Sequence, residues 1–248
     1  MKPWRFALAF GFFAAHALAS AAADAQSSAR SPEREGSTLP SPQRWATELR
    51  IAPYIPVIGE VGPPNTWPFI RAFGDMPRLL VGLEVDWQAL RIPYVGTLGV
   101  GASGAFTSYA GQVGTTETSL DVFMSYGVAV LRGDAIWREL EIPFVPYAKL
   151  GVGWARWTTS NALVTSGFSY DGAATHGYSW GSHFALGVSF AFAVLDRDAA
   201  KRVDEVTGIN GAYFFGEWMR ADLSGLWFQD NPLAVGTSTL VTGLTLEL

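Results

Sequence analysis

Large and small side chains alternate along residues 178–192 with hardly an exception. Most even positions are aromatic or aliphatic, whereas the odd positions carry Ser, Gly, Ala and one His. Successive side chains of a β-strand point to opposite faces, so the pattern predicts a strand with one apolar face and one face of small side chains. The second face of a soluble sheet would carry Lys, Glu and Thr. Small residues suit the interior of a small closed barrel, which leaves the apolar face toward lipid.

Similar alternation recurs in eight blocks, with turn residues between them. Single-chain bacterial barrels have an even number of strands, so the chain is predicted to be all-β, an eight-stranded antiparallel up-and-down transmembrane β-barrel. The predicted strands cover residues 45–56, 78–90, 94–109, 119–131, 144–157, 178–192, 210–221 and 237–248.

The alternation also assigns side chains to the two sides of the barrel wall. In the fourth block, the even positions from Leu120 to Val130 are large and apolar and are predicted to face lipid. In the seventh block, Glu217 favours odd positions inside, although Tyr213 and Phe215 have the same parity. A β-bulge at Gly216 would resolve that conflict.

The connections are predicted to alternate between the cell exterior and the periplasm. Long outer loops with shorter inner turns are typical of outer-membrane barrels. The outer connections are predicted at residues 57–77, 110–117, 158–177 and 222–236, and the inner ones at 91–93, 132–143 and 195–209.

The last inner connection contains a helical pattern. Leu195, Ala199, Val203 and Val206 recur near helical spacing among charged residues, which predicts a short periplasmic helix between strands 6 and 7. Asp196 and Asp198 could suggest calcium, but acids at a helix start stabilise it, and no third ligand or calcium-binding loop follows. No metal site is therefore predicted.

The first residues predict export. Residues 1–25 combine a basic start, an apolar stretch from Phe6 to Ala19 and small residues before Gln26, as in a cleaved signal peptide. The apolar stretch is shorter than the roughly 20 residues of a spanning helix. Residues 26–44 are rich in Ser, Pro and charge and predict a flexible periplasmic tail, which leaves 45–248 for the barrel.

Composition narrows the function classes. The chain has no cysteine, which excludes disulfides and thiolate metal sites. Without Lys2, Arg5 and Asp24 the counts of 17 basic and 22 acidic residues become 15 and 21, a net charge of −6. Nucleic acid is not an expected partner, because binding phosphate needs clustered Lys and Arg. No later segment suits a helical span, so embedding in a membrane requires a closed barrel.

Strand parity gathers ionisable side chains inside the predicted lumen. Buried charges are costly unless paired, so we predict a hydrogen-bonded network of acids from several strands with two cations. A proton or cation path is the alternative, but eight strands enclose little more than their own side chains. The predicted lumen residues are Glu48, Arg50, Glu84, Asp86, Asp121, Lys149, His183 and Glu217.

Tryptophans mark the predicted membrane boundaries. Indole rings at headgroup level form the aromatic girdles of membrane barrels, although packing in a core is the alternative. Rigid barrels place function on loops, so Trp67, Phe69 and Tyr170 are candidates for contact with an extracellular partner. The predicted girdle residues, all near strand ends, are Trp45, Trp87, Trp154, Trp157, Trp180 and Trp218.

Short motifs between residues 45 and 248 resemble the myxobacterial-type outer-membrane β-barrel proteins, a family of unknown function. The resemblance implies a barrel in the cell outer membrane and supplies no reaction or cofactor. Its motifs are Glu48–Tyr54, Phe73–Asp75, Gly82–Asp86, Ile142-Pro143 with Pro146-Tyr147, and Leu195-Asp196 leading to Gly208–Asn210.

Two other functions compete with a non-enzymatic surface protein in contact with outer-membrane lipid. A lipid-modifying enzyme would need a Ser/His/acid set, yet parity places His183 in the lumen and separates Ser179 from His176. No catalytic residue or cofactor is therefore assigned. A soluble lipocalin-like barrel would need a charged outer face, which strands three, five and six do not provide.

Overall fold

The computed structural model describes residues 44–58, 68–113, 115–160, 175–226 and 233–248. The predicted signal peptide at 1–25 lies outside these residues, as does the predicted tail at 26–44 apart from Arg44. In this part of the chain, no helix is both long and apolar enough to cross a membrane.

Eight antiparallel strands close into one barrel, in which each strand pairs with its neighbours in sequence and the first pairs with the last. The predicted fold is confirmed. The strands are β1 (Trp45–Tyr54), β2 (Arg78–Ile92), β3 (Gly96–Val113), β4 (Thr116–Arg132), β5 (Phe144–Ser160), β6 (Thr175–Ala191), β7 (Gly211–Asp222) and β8 (Thr237–Glu247).

Three α-helices lie in the described connections: α1 (Pro68–Phe73), α2 (Ala135–Leu140) and α3 (Arg197–Thr207). The predicted helix between β6 and β7 is confirmed as α3. Its start is capped by the Asp196 side chain, which accepts a hydrogen bond from the Ala199 backbone N–H. The six-residue helices α1 and α2 were not predicted, because they are too short to show a helical period.

The two ends of the barrel differ. The chain enters β1 and leaves β8 at one end, the terminal end, whose connections cover residues 93–95, 133–143 and 192–210. The opposite end is the loop end. Its connections cover residues 55–77, 114–115, 161–174 and 223–236. The connection predicted at 110–117 is shorter than expected, because β3 and β4 remain paired as far as Val113 and Thr116.

Large apolar side chains point out of the barrel wall. Leu150 is 65% exposed and Leu240 is 70% exposed, although both lie well inside their strands. In β6, Phe184 and Leu186 are exposed, whereas Ala185 between them is fully buried. The outer wall is therefore apolar, as the alternation in β6 predicted.

The orientation of β4 is opposite to the prediction. Leu120, Val122 and Met124 are fully buried inside the barrel instead of facing outward. Val122 pairs with Thr107 of β3, whose side chain is also buried. Directly paired residues share one face of a sheet, so the β3–β4 hairpin fixes the even positions of β4 inside.

The predicted bulge at Gly216 is also wrong. The pairing of β7 with β6 and with β8 continues without a shift through Gly216. Tyr213 and Phe215 are buried together with Glu217. The conflict disappears because aromatic rings help to fill the lumen.

Candidate functional site: the barrel lumen and the outer apolar belt

Seven charged side chains meet in the terminal half of the lumen. They come from five strands, and all of them are buried. Their inward direction follows from strand parity, because each shares a face with the other buried residues of its strand. The cluster, which we call the lumen network, consists of Glu48 and Arg50 (β1), Glu84 and Asp86 (β2), Arg132 (β4), Lys149 (β5) and Glu217 (β7).

Lys149 is the centre of the lumen network. Its Nζ lies 2.6 Å from Glu48 Oε2, 2.5 Å from Glu84 Oε1 and 3.5 Å from Glu217 Oε2. The Arg50 guanidinium donates one N–H to Glu84 and another to Glu217. One ammonium and one guanidinium thus connect carboxylates from three strands.

Arg132 extends the network toward the terminal end. Its Nη2 lies 2.9 Å from Glu48 Oε1 and 2.6 Å from Asp86 Oδ2. One oxygen from each of Glu48, Glu84 and Asp86 lies within 4.8 Å of the others, a spacing that could hold a metal ion. Lys149 and Arg132 already pair with these carboxylates, so the arrangement is an ion-pair network.

Aromatic groups surround the buried ammonium of Lys149. Its Nζ lies 5.2 Å from the centre of the Tyr147 ring and 5.8 Å from that of Phe215. The Tyr147 hydroxyl donates to Glu217 Oε2 at 3.0 Å. His183 is also buried in the lumen, where its ring packs 4.8 Å from that of Tyr126. These rings exclude water, which strengthens the ion pairs beside them.

A second polar group lies at the terminal end. The buried carboxylate of Glu247 accepts hydrogen bonds from the Tyr213 hydroxyl at 3.0 Å and from Gln88 Nε2 at 3.1 Å. A cavity of about 80 Å³ adjoins Glu247, Asp134 and Trp137. Sequence reasoning missed Glu247, although its alternation with Leu244, Leu246 and Leu248 in the eighth block indicates the face opposite to these leucines. It missed Arg132 because the predicted strand ended at residue 131 and because the predicted parity of β4 was reversed.

The loop half of the lumen is apolar. Tyr54 and Tyr109 are fully buried there, and the Tyr54 hydroxyl donates to the Val235 carbonyl at 2.6 Å. Between this region and the lumen network lies a void of about 20 Å³, lined in part by Arg50 and Tyr126, with room for about one water molecule. The other buried apolar side chains of this half include Leu120, Val122, Met124, Trp157, Leu223 and Val235.

Helix α1 covers the apolar region at the loop end. The ring of Phe69 packs edge-on against Tyr109 with 4.9 Å between centres, and that of Phe73 lies 5.7 Å from Tyr109. A Cβ at Gly111 would lie 2.1 Å from the Ala72 carbonyl oxygen, so the close approach of α1 to β3 requires glycine there. Phe69 was predicted to contact a partner, and this was wrong: it is buried as part of the cover.

The remaining loop candidates, Trp67 and Tyr170, lie outside the described residues. Asp121 was predicted to face the lumen, and this was wrong. It pairs with Ser108 on the outer face, where its Oδ1 accepts a hydrogen bond from Ser108 Oγ at 2.5 Å. The error follows from the reversed parity of β4, since its neighbours Leu120 and Val122 take the inward positions.

Aromatic residues form two rings on the outer wall. Trp45 pairs with Trp87 near the terminal end, and Trp154 pairs with Trp180 nearer the loop end. Trp218 also faces outward, and its Nε1 donates to Ser238 Oγ at 3.0 Å. The wall between these rings, lined by residues such as Leu150, Leu186 and Leu240, is what we call the belt.

The height of the belt matches a membrane. On β6, Trp180 belongs to the ring nearer the loop end, and Phe190, which pairs with Phe144 and Phe214, lies at the terminal end. The two residues are ten positions apart. At about 3.3 Å per residue and a strand tilt of about 40°, this spans about 25 Å along the barrel axis. An apolar band of that height between aromatic girdles is typical of outer-membrane barrels.

Trp157 was predicted to join the girdle, and this was wrong. It has the same parity as Lys149 in β5 and lies inside the barrel, where its Nε1 donates to Ser179 Oγ at 3.2 Å. A Cβ at Gly177 would lie 2.3 Å from the indole, so a glycine in β6 makes room for it. Trp157 therefore fills part of the lumen and does not belong to the outer girdle.

The Ser/His pair of the enzyme alternative does not form. Ser179 is fully buried in the lumen, and its hydroxyl donates to the Leu233 carbonyl at 2.6 Å. His176 has the opposite parity in β6 and is exposed on the outer face. The wall of the barrel therefore separates the two side chains.

No protein-family model matches the chain, and no curated protein matches its sequence significantly. Among solved structures it is similar to the Neisserial surface protein A, with 12% identity over 82% of this chain and 97% of that one and a TM-score of 0.48. It is also similar to the outer membrane protein OprG from Pseudomonas aeruginosa, with 13% identity over 83% of this chain and 96% of that one and a TM-score of 0.48. A third similar structure is Ail, the attachment invasion locus protein of Yersinia pestis, with 9% identity over 83% of this chain and 97% of that one and a TM-score of 0.40. The resemblance to the myxobacterial-type family stays a prediction.

Proposed function

We propose that this chain is an outer-membrane β-barrel with a closed lumen and a non-enzymatic role, either structural or in surface interaction through its loop end. The observation that carries the proposal is the inverted polarity of the closed barrel. Charged side chains are paired inside it, whereas Leu150, Leu186 and Leu240 face outward between two aromatic rings. Lipid is the solvent that fits such a wall.

The proposal assigns a direction to the barrel. Short turns of outer-membrane barrels face the periplasm and long loops face the cell exterior. The terminal end therefore faces the periplasm, where residues 26–44 form a tail after removal of the signal peptide at 1–25. The loop end faces outward, with the connections at 55–77 and 161–174.

Two layers support a closed lumen. The lumen network fills the terminal half, and the apolar region under α1 fills the loop half. An eight-stranded barrel leaves little space beyond its side chains. A structural role for the lumen network follows, since it links five strands without offering an open path for solutes.

The surface-interaction role concerns the connections at the loop end. A rigid barrel holds loops in place and leaves their outer residues available to a partner. Trp67 and Tyr170 stay proposed contact residues for an extracellular partner, whereas Phe69 is withdrawn because it packs inside. Membership of the myxobacterial-type family is proposed on the basis of the sequence motifs.

Cell fractionation and gel migration test the membrane proposal. We expect the mature chain in the outer-membrane fraction, and we expect it to migrate differently in detergent gels before and after boiling, because a folded barrel resists detergent. A monodisperse protein in detergent-free buffer would contradict the proposal. Loop contact is tested by comparing partner capture by whole cells that display the native chain or a variant with Trp67 and Tyr170 replaced by alanine.

A further inference from the structure

Helix α3 turns its apolar side chains away from the rest of the protein. Val206 is 83% exposed and Val203 is also exposed, whereas Ala199, Ala200 and Asp204 are half-buried. The helices of soluble domains turn their apolar stripe toward the core. The polarity of α3 is thus inverted in the same sense as that of the barrel wall.

The exposed apolar surface of the belt continues into the segment that precedes α3. After β6 the chain passes through a short 3-10 turn at Phe192–Val194, whose Phe192 and Val194 are exposed. Leu195 follows and is 73% exposed. Helix α3 packs against this turn. Exposed apolar side chains therefore lead from the outer wall of β6 to the start of α3, and α3 itself carries two more at Val203 and Val206.

We propose that α3 is an interfacial helix, which lies in the headgroup region of the periplasmic leaflet with Leu195, Val203 and Val206 among the lipid chains. The proposal rests on the proposed membrane barrel. Helices of this kind bury their apolar face about 5–10 Å into the boundary between headgroups and acyl chains. The occupant of the apolar face is thus phospholipid.

The charge of α3 indicates which kind of phospholipid is sufficient to bind it. The helix carries three basic residues and three acidic ones in the sequence RDAAKRVDEVT. Attraction to anionic lipid needs an excess of Lys and Arg. Vesicles of phosphatidylcholine and phosphatidylethanolamine should therefore bind the helix, with little dependence on salt.

The absence of cysteine from the chain permits labelling at one site. Val206→Cys is labelled with a polarity-sensitive fluorophore and refolded into vesicles of phosphatidylcholine and phosphatidylethanolamine. We expect blue-shifted emission that is quenched more by lipids with a shallow nitroxide than by lipids with a deep one. Emission at the wavelength of the water-exposed label, without quenching, would overturn the proposal.

Two matched variants make the result interpretable. Glu205→Cys places the label on the preceding residue, about 100° around the helix, and should show little blue shift and weak quenching. Leu186→Cys places the label in the belt and should be quenched more by the deep nitroxide. A quenched Leu186 label with a water-exposed Val206 label rejects only the interfacial helix. Failure of both labels to respond rejects the membrane barrel itself.

A protein partner for α3 would give a different result. In that case the Val206 label would remain water-exposed in pure lipid vesicles and become shielded only in native outer-membrane fragments. That outcome would overturn the assignment of phospholipid as the occupant. Equal blue shifts at positions 205 and 206 would also overturn it, because the proposal requires one face of α3 to be buried.

Discussion

At the scale of single residues, side chains in this barrel are placed by polarity and by the space available. Lys149 has three carboxylates within 3.5 Å. The attraction between these charges is strong because the site is shielded from water. Gly111 and Gly177 leave room for a helix backbone and an indole ring. Single substitutions in the charged network and at such close-packed glycines should therefore have measurable effects.

Removing one carboxylate from the lumen network should destabilise the barrel. Glu84→Gln leaves Arg50 and Lys149 with one anionic partner fewer in a buried site. Breaking a buried ion pair from one side typically costs about 3–5 kcal/mol in the free energy of unfolding. Urea titration of the protein in lipid vesicles, followed by tryptophan fluorescence, measures the loss.

Asp121→Asn is the matched control for Glu84→Gln. It neutralises a carboxylate that lies on the outer face beside Ser108. Because an exposed charge contributes little to stability, we expect the free energy of unfolding to change by no more than about 1 kcal/mol. Similar losses in the two variants would show that the lumen network does not contribute more than a surface carboxylate.

Gly111→Ala should loosen the cover of the lumen. The new Cβ meets the Ala72 carbonyl oxygen at 2.1 Å, so α1 must move away from β3. Faster amide hydrogen exchange in α1 is the expected result, with the exchange of the barrel strands unchanged. Gly216→Ala is the control, because nothing lies within 4 Å of its Cβ position. Unchanged exchange of α1 in Gly111→Ala would contradict the close packing described above.

At the scale of the elements, single-strand alternation predicted β6 well and β4 badly. In β6 the small residues have room only inside, so the pattern alone decides. In β4 both faces could meet an apolar environment, because the loop half of the lumen is itself apolar. Only the register of the β3–β4 hairpin decides its orientation, and the sequence does not indicate which residues form that turn.

A charge introduced in the middle of the belt should destabilise the barrel more than a charge introduced near the edge of the belt. Leu150 lies midway between the two aromatic rings, whereas Leu90 lies beyond Trp87 toward the terminal end of β2. Arginine at the bilayer midplane destabilises a barrel by about 2–4 kcal/mol, falling to about 0–1 kcal/mol near the interface. Leu150→Arg and Leu90→Arg, compared by urea titration in vesicles, should differ accordingly. Equal costs would mean that no depth-dependent lipid layer surrounds the barrel.

At the scale of the whole molecule, the sequence predicts the closed barrel and four of the lumen acids, Glu48, Glu84, Asp86 and Glu217, but it misplaces Asp121 and misses Glu247. It does not predict what closes the loop end. Phe69 was placed on an exposed loop because α1 is too short to have a detectable period. Arg132 was missed for a related reason, since its inward direction depends on a pairing between strands. Contacts set by tertiary register thus escape a residue-by-residue pattern.

The two layers of the lumen are arranged in series, which leads to a prediction about permeation. The native chain should give no stepwise current in planar bilayers, because the apolar region and the lumen network each fill the cross-section. Phe69→Ala removes one ring from the cover, yet it should also remain silent, since the Lys149 ion pairs beneath are intact. Heat-dependent gel migration confirms folding in both cases. Step currents from the folded native chain would show an open path through the lumen, whereas currents from Phe69→Ala alone would show that α1 is the only barrier.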